Sequence, residues 1–547
     1  MRYQSGKIIA TLVLAVIVIS AVTTLNFSSG SLFVIVTANS RTFGMQNYRI
    51  VQFPIPRNSS QPWGISVDAS GRVWFAEAQS NQIGMFNPES KTFKEFNVPT
   101  PNSLLEEITV DESGNVWFTE LNGEKLGGLN PDSGAVHEFI IPTGPGNLPC
   151  GPIGVTASKS SIWFTCEFSN QIDEFFPTNS SFLSFDLPVF YSAPLDVAFD
   201  ANGNFWFTAA DSNMIGFVTT AELQPGTSKG IQEFAPTNSS YLNTEVINSP
   251  SALSVINNQT QTVVSSLQTP SQVAISPDGK ALWITEHVVS SFDEYNISSK
   301  VLDKFWTSRT HNPNYTTSLP NGIAIDSAGN IWIAEHYGNK IAEFNPATKS
   351  MIEYPIPCCG SQIAGSLYLA LGANSTVWFT EFYGNNIGEL VPTNSTAPVA
   401  LSLGNSTSEV EASRGNISIP IMVTADSNQN ILFDISGISG TGNLQNASAT
   451  FNPPSLNLGS SGKGVSELSI TTKNLLPGIY YLTVSGKSNL TGNIYSTILA
   501  LQIESSPSYS SLLIDAAVLG GIFAAIVVSS LAIVSRRRPD ARRANHK

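Results

Sequence analysis

The sequence predicts an all-β protein: a seven-bladed β-propeller over residues 46–392, followed by an immunoglobulin-like β-sandwich over residues 398–505. Three observations predict it. A tryptophan-centred phrase recurs seven times, and its copies are mostly spaced in the forties. Charged residues make up only 12% of the chain, against 41% hydrophobic ones, which points away from disorder and toward a Ser/Thr/Asn-rich β surface protein. At 547 residues the chain suits two or three domains.

The phrase is a polar turn with Gly, an apolar residue, Trp, a second apolar residue, Thr or Ala, and often Glu. It reads Gly71-Arg-Val-Trp74-Phe-Ala-Glu77 and Gly114-Asn-Val-Trp117-Phe-Thr-Glu120, and returns at Trp163, Trp206, Trp283, Trp332 and Trp378. The intervals are 43, 46, 43, 77, 49 and 46 residues, so the one long interval carries an insertion, at about 236–269. Each unit reads as four strands: an apolar inner strand (Trp63–Asp68), the Trp strand, a third strand after an Asn turn (Asn81–Phe86), and an alternating outer strand (Thr92–Pro99). A period in the forties with four strands is the mark of a propeller blade.

The seventh unit lacks an outer strand; Val391-Pro-Thr-Asn-Ser follows it instead. The missing copy stands before the first unit, at Arg49-Ile-Val-Gln-Phe-Pro-Ile-Pro56. The N-terminal strand is therefore expected to complete the last blade and remove the open edges. Residues 398–505 lack the phrase, show short alternating strands, and contain Pro477–Gly486, a turn feeding a strand. About a hundred residues of this kind fit a sandwich, expected to serve as a stalk.

Two apolar segments frame these domains. Ile8–Leu25 follows Arg2 and Lys7, and residues 1–30 read either as a cleaved signal peptide or as an uncleaved signal anchor; Val36-Thr37-Ala38 offers a weak cleavage motif. Residues 511–535 read as a transmembrane helix, followed by the basic tail 536–547 beginning Arg536-Arg537-Arg538. The positive-inside rule leaves that tail in the cytoplasm and the two β domains outside the cell membrane. Sequons such as Asn58, Asn179, Asn238 and Asn296 accord with a glycoprotein exterior. Between the basic ends, 19 bases face 40 acids. So acidic a body repels phosphate backbones, which excludes nucleic acid as a partner.

One rim of the propeller gathers the residues with chemical potential. Glu77, Glu120, Glu286, Glu335 and Glu381 end the Trp strand in five blades, with Cys166 and Ala209 in two others. A repeated Glu suits the tying down of a loop through backbone N–H groups. It also suits a carboxylate-lined, ligand-binding rim for a divalent cation such as Mg or Ca. His287 and His336 follow Glu286 and Glu335 in consecutive blades; each is either an ordinary loop residue or a base or ligand. His137 and His311 have no obvious partner, and Asn81, Asn170, Asn213, Asn339 and Asn385 read as turn residues. Cys150 and Cys166 flank one blade at this rim and are expected to pair in the oxidising exterior, while the adjacent Cys358 and Cys359 form a vicinal disulfide or remain thiols. The 236–269 insertion joins an outer strand to the next inner one and is expected to overhang the same face.

The phrase Trp-Phe-Thr-Glu followed by Asn-x-Ile-Gly, repeated around a ring, resembles the virginiamycin B lyase (streptogramin lyase) family over about residues 46–392, with NHL-type propellers as more distant relatives. The resemblance implies opening of a cyclic depsipeptide by elimination, with a magnesium ion and a general-base histidine. That chemistry rests on a Glu-Pro-His-Gly-Ile phrase opening an inner strand, ahead of a metal-holding Glu. Carried over by position, the metal Glu corresponds to Glu335 and Glu381. The histidine place holds Trp63 in the first blade, Leu195 in the fourth, Ser271 in the fifth, Asn321 in the sixth and Leu367 in the seventh, and in none of the seven a histidine. Two functions follow as expectations. One is a membrane-anchored extracellular propeller that binds a ligand or partner. The other is a metal-dependent carbon–oxygen lyase of the streptogramin type, its base relocated to His287 or His336.

Overall fold

The computed structural model describes residues 32–37, 45–236, 252–256, 259–263, 267–310, 316–358, 363–396, 398–403, 410–411, 416–426, 428–437, 447–472 and 478–505. The segment 1–30, the span 511–535, the tail 536–547, His311 and Cys359 lie outside them. Among the described residues no helix is long and apolar enough to cross a membrane.

Seven antiparallel blades of four strands make the ring, six as separate sheets and the sixth blade as part of a ten-stranded sheet. In the first, Pro62–Val67, Val73–Glu77, Gln82–Asn87 and Thr92–Asn97 run from the axis outward. The Trp strand is buried along its whole length because blades flank it on both sides, whereas the outer strand Thr92–Asn97 is largely open to solvent. The turn before each Trp strand explains the aspartate of the phrase. Asp68 Oδ1 accepts the Ser70 and Arg72 amides, and its Oδ2 accepts the Trp74 indole N–H at 2.8 Å. Asp111 and Asp326 hold Trp117 and Trp332 in the same way, at 2.9 and 3.1 Å. Gly71 turns the chain at φ +77°, a conformation that favours glycine.

The ring closes as the repeats predict. Gln46–Pro54 pairs antiparallel with Asn386–Thr396, placing Val51 opposite Glu389 and Phe53 opposite Ile387. A second device joins neighbouring blades at the axis. The threonine of the phrase accepts an amide from its own inner strand and donates to a carbonyl of the next. Thr119, Thr165, Thr208 and Thr285 reach Ile153, Leu195, Ser271 and Asn321, and Thr380 closes the circle onto Trp63 at 2.8 Å. Ala76 and Ala334 take its place in the first and sixth blades.

Residues 399–505 fold as two antiparallel sheets. Val399–Leu403, Asn416–Ala425, Lys463–Thr472 and Ala447–Asn452 form one; Ile494–Ser505, Gly478–Ser488, Asn430–Ser436 and Ser455–Asn457 belong to the other. Leu401, Ile419, Val423, Leu468 and Leu482 fill the space between them. The unit does not stand clear of the propeller as a stalk would. Ile494–Ser505 pairs with Ser350–Pro355, the outer strand of the sixth blade, with Tyr495 opposite Ile352. Tyr481 packs on Phe305 with ring centroids 5.2 Å apart, and Thr483 Oγ1 donates to the Trp306 carbonyl. Apolar side chains make the difference: Met351, Ile352 and Tyr354 would otherwise face water on an edge strand. Leu32–Thr37 covers the rest of the same strand, Leu32 opposite Ser505 and Thr37 opposite Ala500.

Candidate functional site

The mouth of the propeller is the face where Trp strands end and outer strands cross to the next blade. Six of the seven inner strands enter it through a bulge, marked by a register shift after Pro62, Leu105, Pro152, Pro194, Pro270 and Pro320. Two residues per blade are re-aimed at the axis. The second of them is Gly64, Glu107, Gly154, Asp196, Gln272, Gly322 and, in the seventh blade, Tyr368. At the glycines the next blade approaches closely: a Cβ on Gly64 would lie 2.6 Å from the Glu106 carbonyl oxygen. Elsewhere the side chains tie blades together. Glu107 accepts the Val155 amide and the Gln272 side-chain N–H at 3.1 and 2.6 Å, Asp196 accepts the Val273 amide, and Gln272 accepts the Ile323 amide. Burial and Asp196 hold the Glu107 carboxyl well above the usual range.

The first of each pair lies above this layer and, with the residues that follow the Trp strands, divides the mouth in two. One half is aromatic. Trp63 meets Phe382 edge-on at 5.1 Å; His336 stacks on Tyr383 and on His287, each at 5.9 Å, and lies 4.5 Å from Tyr337. The other half is acidic. Burial, with Glu167 nearby, pushes Glu106 up to about 8, and burial with Asp211 raises Glu167.

The five glutamates do not line the opening. Glu77, Glu120, Glu286, Glu335 and Glu381 are all fully buried, because the last residue of the Trp strand points between strands toward the crossover rather than into the channel. Gln52 and Asn386 donate to Glu381 at 2.8 and 2.7 Å. Ser291, the Gln268 amide and Lys304 donate to Glu286. Lys340 lies 3.1 Å from Glu335 and 2.7 Å from Glu353. Burial pushes Glu77 up to about 8, with Glu95 adding to the shift, and Glu120 to about 7 with Glu138 adding. As a magnesium or calcium pair, Glu335 and Glu381 do not fit. An ammonium already occupies the first and two side-chain amides the second, and among the described residues no three His, Cys, Asp or Glu converge on one point.

The two candidate histidines do come together at the mouth, but as parallel rings. The His287 ring donates to the Pro320 carbonyl, and burial lowers its pKa. Burial, then His287, lowers His336 to about 3, and neither His336 ring nitrogen has a hydrogen-bond partner. So low a pKa makes a weak base at neutral pH. It leaves a buried neutral imidazole packed in the aromatic row.

The remaining expectations resolve simply. Cys150 and Cys166 form the disulfide, and Cys358 is disulfide-bonded as well. The five asparagines adopt left-handed geometry and also staple the crossovers: Asn81 Oδ1 accepts from Ser103, and Asn170, Asn213, Asn339 and Asn385 accept from Ser192, Thr269, Ala364 and Ser60. His137 is exposed on an outer strand. The insertion leaves from the mouth face and contains the hairpin Ala252–Ile256 with Gln259–Val263. The residues that reading the repeats missed are Glu106, Glu107, Asp196 and Gln272. Their signal was present: charged or amide side chains at inner-strand positions where most other blades carry Gly or an apolar residue.

Residues 38–229 match the model of the virginiamycin B lyase family. A streptogramin B lyase structure superposes with a TM-score of 0.50 at 24% identity, covering 63% of this chain and 98% of that one. Virginiamycin B lyase from Staphylococcus aureus gives the same score and identity with 100% of its chain covered. A catalytically inactive variant of that enzyme, solved with quinupristin, matches at 23% identity and a TM-score of 0.50 over 63% and 100% of the two chains. A comparison with curated proteins finds no match. The chain carries a virginiamycin B lyase-like β-propeller.

Proposed function

We propose that this protein is a membrane-anchored extracellular propeller whose mouth recognises a ligand or partner rather than opening a depsipeptide ring. The single observation that carries the reading is the divided mouth. Its aromatic half sets Trp63 edge-on to Phe382 and the exposed Tyr383 against the buried ring of His336, and its acidic half carries Glu106 and the partly exposed Glu167. These are recognition groups, apolar faces with a few convergent polar atoms. The inner-strand position that carries the family's base offers Trp63, Glu106, Ile153, Leu195, Ser271, Asn321 and Leu367 instead. The anchoring half of the reading is supported by the apolar segments 8–25 and 512–534 and the basic tail. The pairing of Leu32 with Ser505 adds to it, since the chain enters and leaves the outer domains at one place.

The test incubates the full-length chain with a streptogramin B depsipeptide, with and without magnesium, and follows the linear product of unchanged mass by chromatography. We expect no turnover, and saturable quenching of tryptophan fluorescence only with ligands that reach Trp63. Metal-dependent ring opening abolished by His336→Ala or His287→Ala would overturn the reading and place the base at a new position. Carbonate extraction of native membranes tests the anchor: release of the chain into the supernatant would remove it.

A further inference from the structure

Among the described residues the propeller exposes seven large apolar side chains, and all seven lie on the mouth face. Ile140 ends an outer strand there, Leu148, Phe190 and Tyr191 ride on crossovers, and Phe168, Val288 and Tyr383 follow Trp strands. Among the described residues the opposite face, with its Asp-x-x-Gly turns, exposes none. Single apolar residues scattered over a surface need no explanation; a one-sided distribution marks a contact surface.

Five of the seven belong to one sector, blades two to four: Ile140, Leu148, Phe168, Phe190 and Tyr191. Ile140 is 76% exposed, Tyr191 65% and Phe168 47%. The sector is also held rigid. The Cys150–Cys166 disulfide is flanked two residues outward on either side by Leu148 and Phe168. The Phe168 ring lies against Gly151, where a Cβ would come within 2.5 Å of it, and the Phe190 and Tyr191 rings are 4.1 Å apart. Anchors ordered before binding lose less freedom on binding. The same sector carries the acidic half of the mouth, Glu106 and Glu167 with the exposed Asp211, while its Lys125 is already tied to Glu138 at 2.6 Å.

We propose that this sector docks a cationic amphipathic polypeptide segment of a partner protein. Leu148, Phe168, Phe190 and Tyr191 take its apolar side; Glu167 and Asp211 take its Lys or Arg side chains. The proposal rests on the reading of the mouth as a recognition surface and narrows it. Charge complementarity selects a cationic partner, since the partly exposed Glu167 and the exposed Asp211 stand in this sector while its Lys125 is tied to Glu138. Apolar anchors spread over three blades are matched by a polypeptide rather than by a small cation.

The experiment uses the full-length chain in nanodiscs of zwitterionic lipid, with empty nanodiscs as the blank. The probe is a fluorescent amphipathic Leu/Lys peptide, its Leu/Glu counterpart the control, read by anisotropy at low and high salt. Binding of the Leu/Lys peptide should weaken about ten-fold in the Phe168→Ser/Tyr191→Ser double variant, the size expected for the loss of buried anchors. It should also weaken in Glu167→Gln and at high salt, persist in Phe168→Tyr, and be unchanged in Val288→Ser. All substituted residues are at least partly exposed, so unchanged melting curves establish that the fold is intact. No binding above the blank, equal binding of the Leu/Glu peptide, or an unaltered double variant would each overturn the proposal. Weakening in Val288→Ser alone would overturn this sector yet leave the recognition reading standing, whereas streptogramin turnover without peptide binding would remove both.

Discussion

At the residue scale, the glutamate that ends the Trp strand shows how one repeated side chain meets different fates. In blades five and six it is balanced by a lysine; in blades one and two burial drives it toward the neutral acid. The consequence for stability has a definite sign. Glu77 titrates near 8 in the fold but near 4.5 when exposed. Below pH 4.5 both states are protonated; between 4.5 and 8 only the unfolded chain ionises, so stability falls as pH rises, by up to about 1.4 kcal/mol per pH unit for this group. Melting temperature should therefore decline from pH 5 to pH 8, and Glu77→Gln should flatten that decline; a stability that rises toward pH 8 in the parent would contradict the assignment. Lys340 is the opposite case. Removing its ammonium in Lys340→Met strands Glu335 and Glu353 without a counter-charge, at a cost of about 3–5 kcal/mol. Denaturant unfolding at neutral pH measures it, and a loss under 1 kcal/mol would mean the triad carries little. The glutamates were legible as a repeat but not as buried groups, because spacing says nothing of which way the end of a strand turns its side chain.

At the element scale, the blade is a local structure that needs its neighbour. The Asp turn positions the Trp indole within a blade, and the threonine carries the connection to the next. Thr380 makes that link across the closure, to Trp63. Thr380→Ala leaves the Trp63 carbonyl and the Tyr368 amide short of a partner near the axis and should cost about 1–2 kcal/mol. Its effect should exceed that of any outer-strand Thr→Ala change, such as Thr92→Ala, by thermal melting; equal effects would show that the closure is not a special point. Strand order, the turn residues and the completing strand Gln46–Pro54 could all be read in advance, since they depend on local pattern and on counting units. The inner-strand bulges could not, because a bulge is a matter of register between two strands.

At the scale of the whole molecule, the second domain is continuous with the first. The outer strand of blade six, buried here where that of blade one is largely exposed, continues into the sheet built by Ile494–Ser505. A chain ending at residue 396 would present Met351, Ile352 and Tyr354 on an open edge. We expect it to elute as oligomers and to melt below the full-length protein; a monomeric, equally stable fragment would show the union to be incidental. Strand pairing joins blade six, Ile494–Ser505 and Leu32–Thr37 in one continuous sheet.

The sequence by itself determined the number of blades, the strand that closes the ring, the disulfide and the acidic character of the chain between its basic ends, because each is written in repeats, counts or short-range spacing. Tertiary structure alone decided that the repeated glutamates are buried, that His287 and His336 stack as neutral rings, that Glu107, Asp196 and Gln272 cross-link the axis, and that the sandwich is welded to blade six. Those outcomes depend on the direction of side chains at strand ends and on contacts between residues up to hundreds of positions apart, and no periodicity along the chain encodes either.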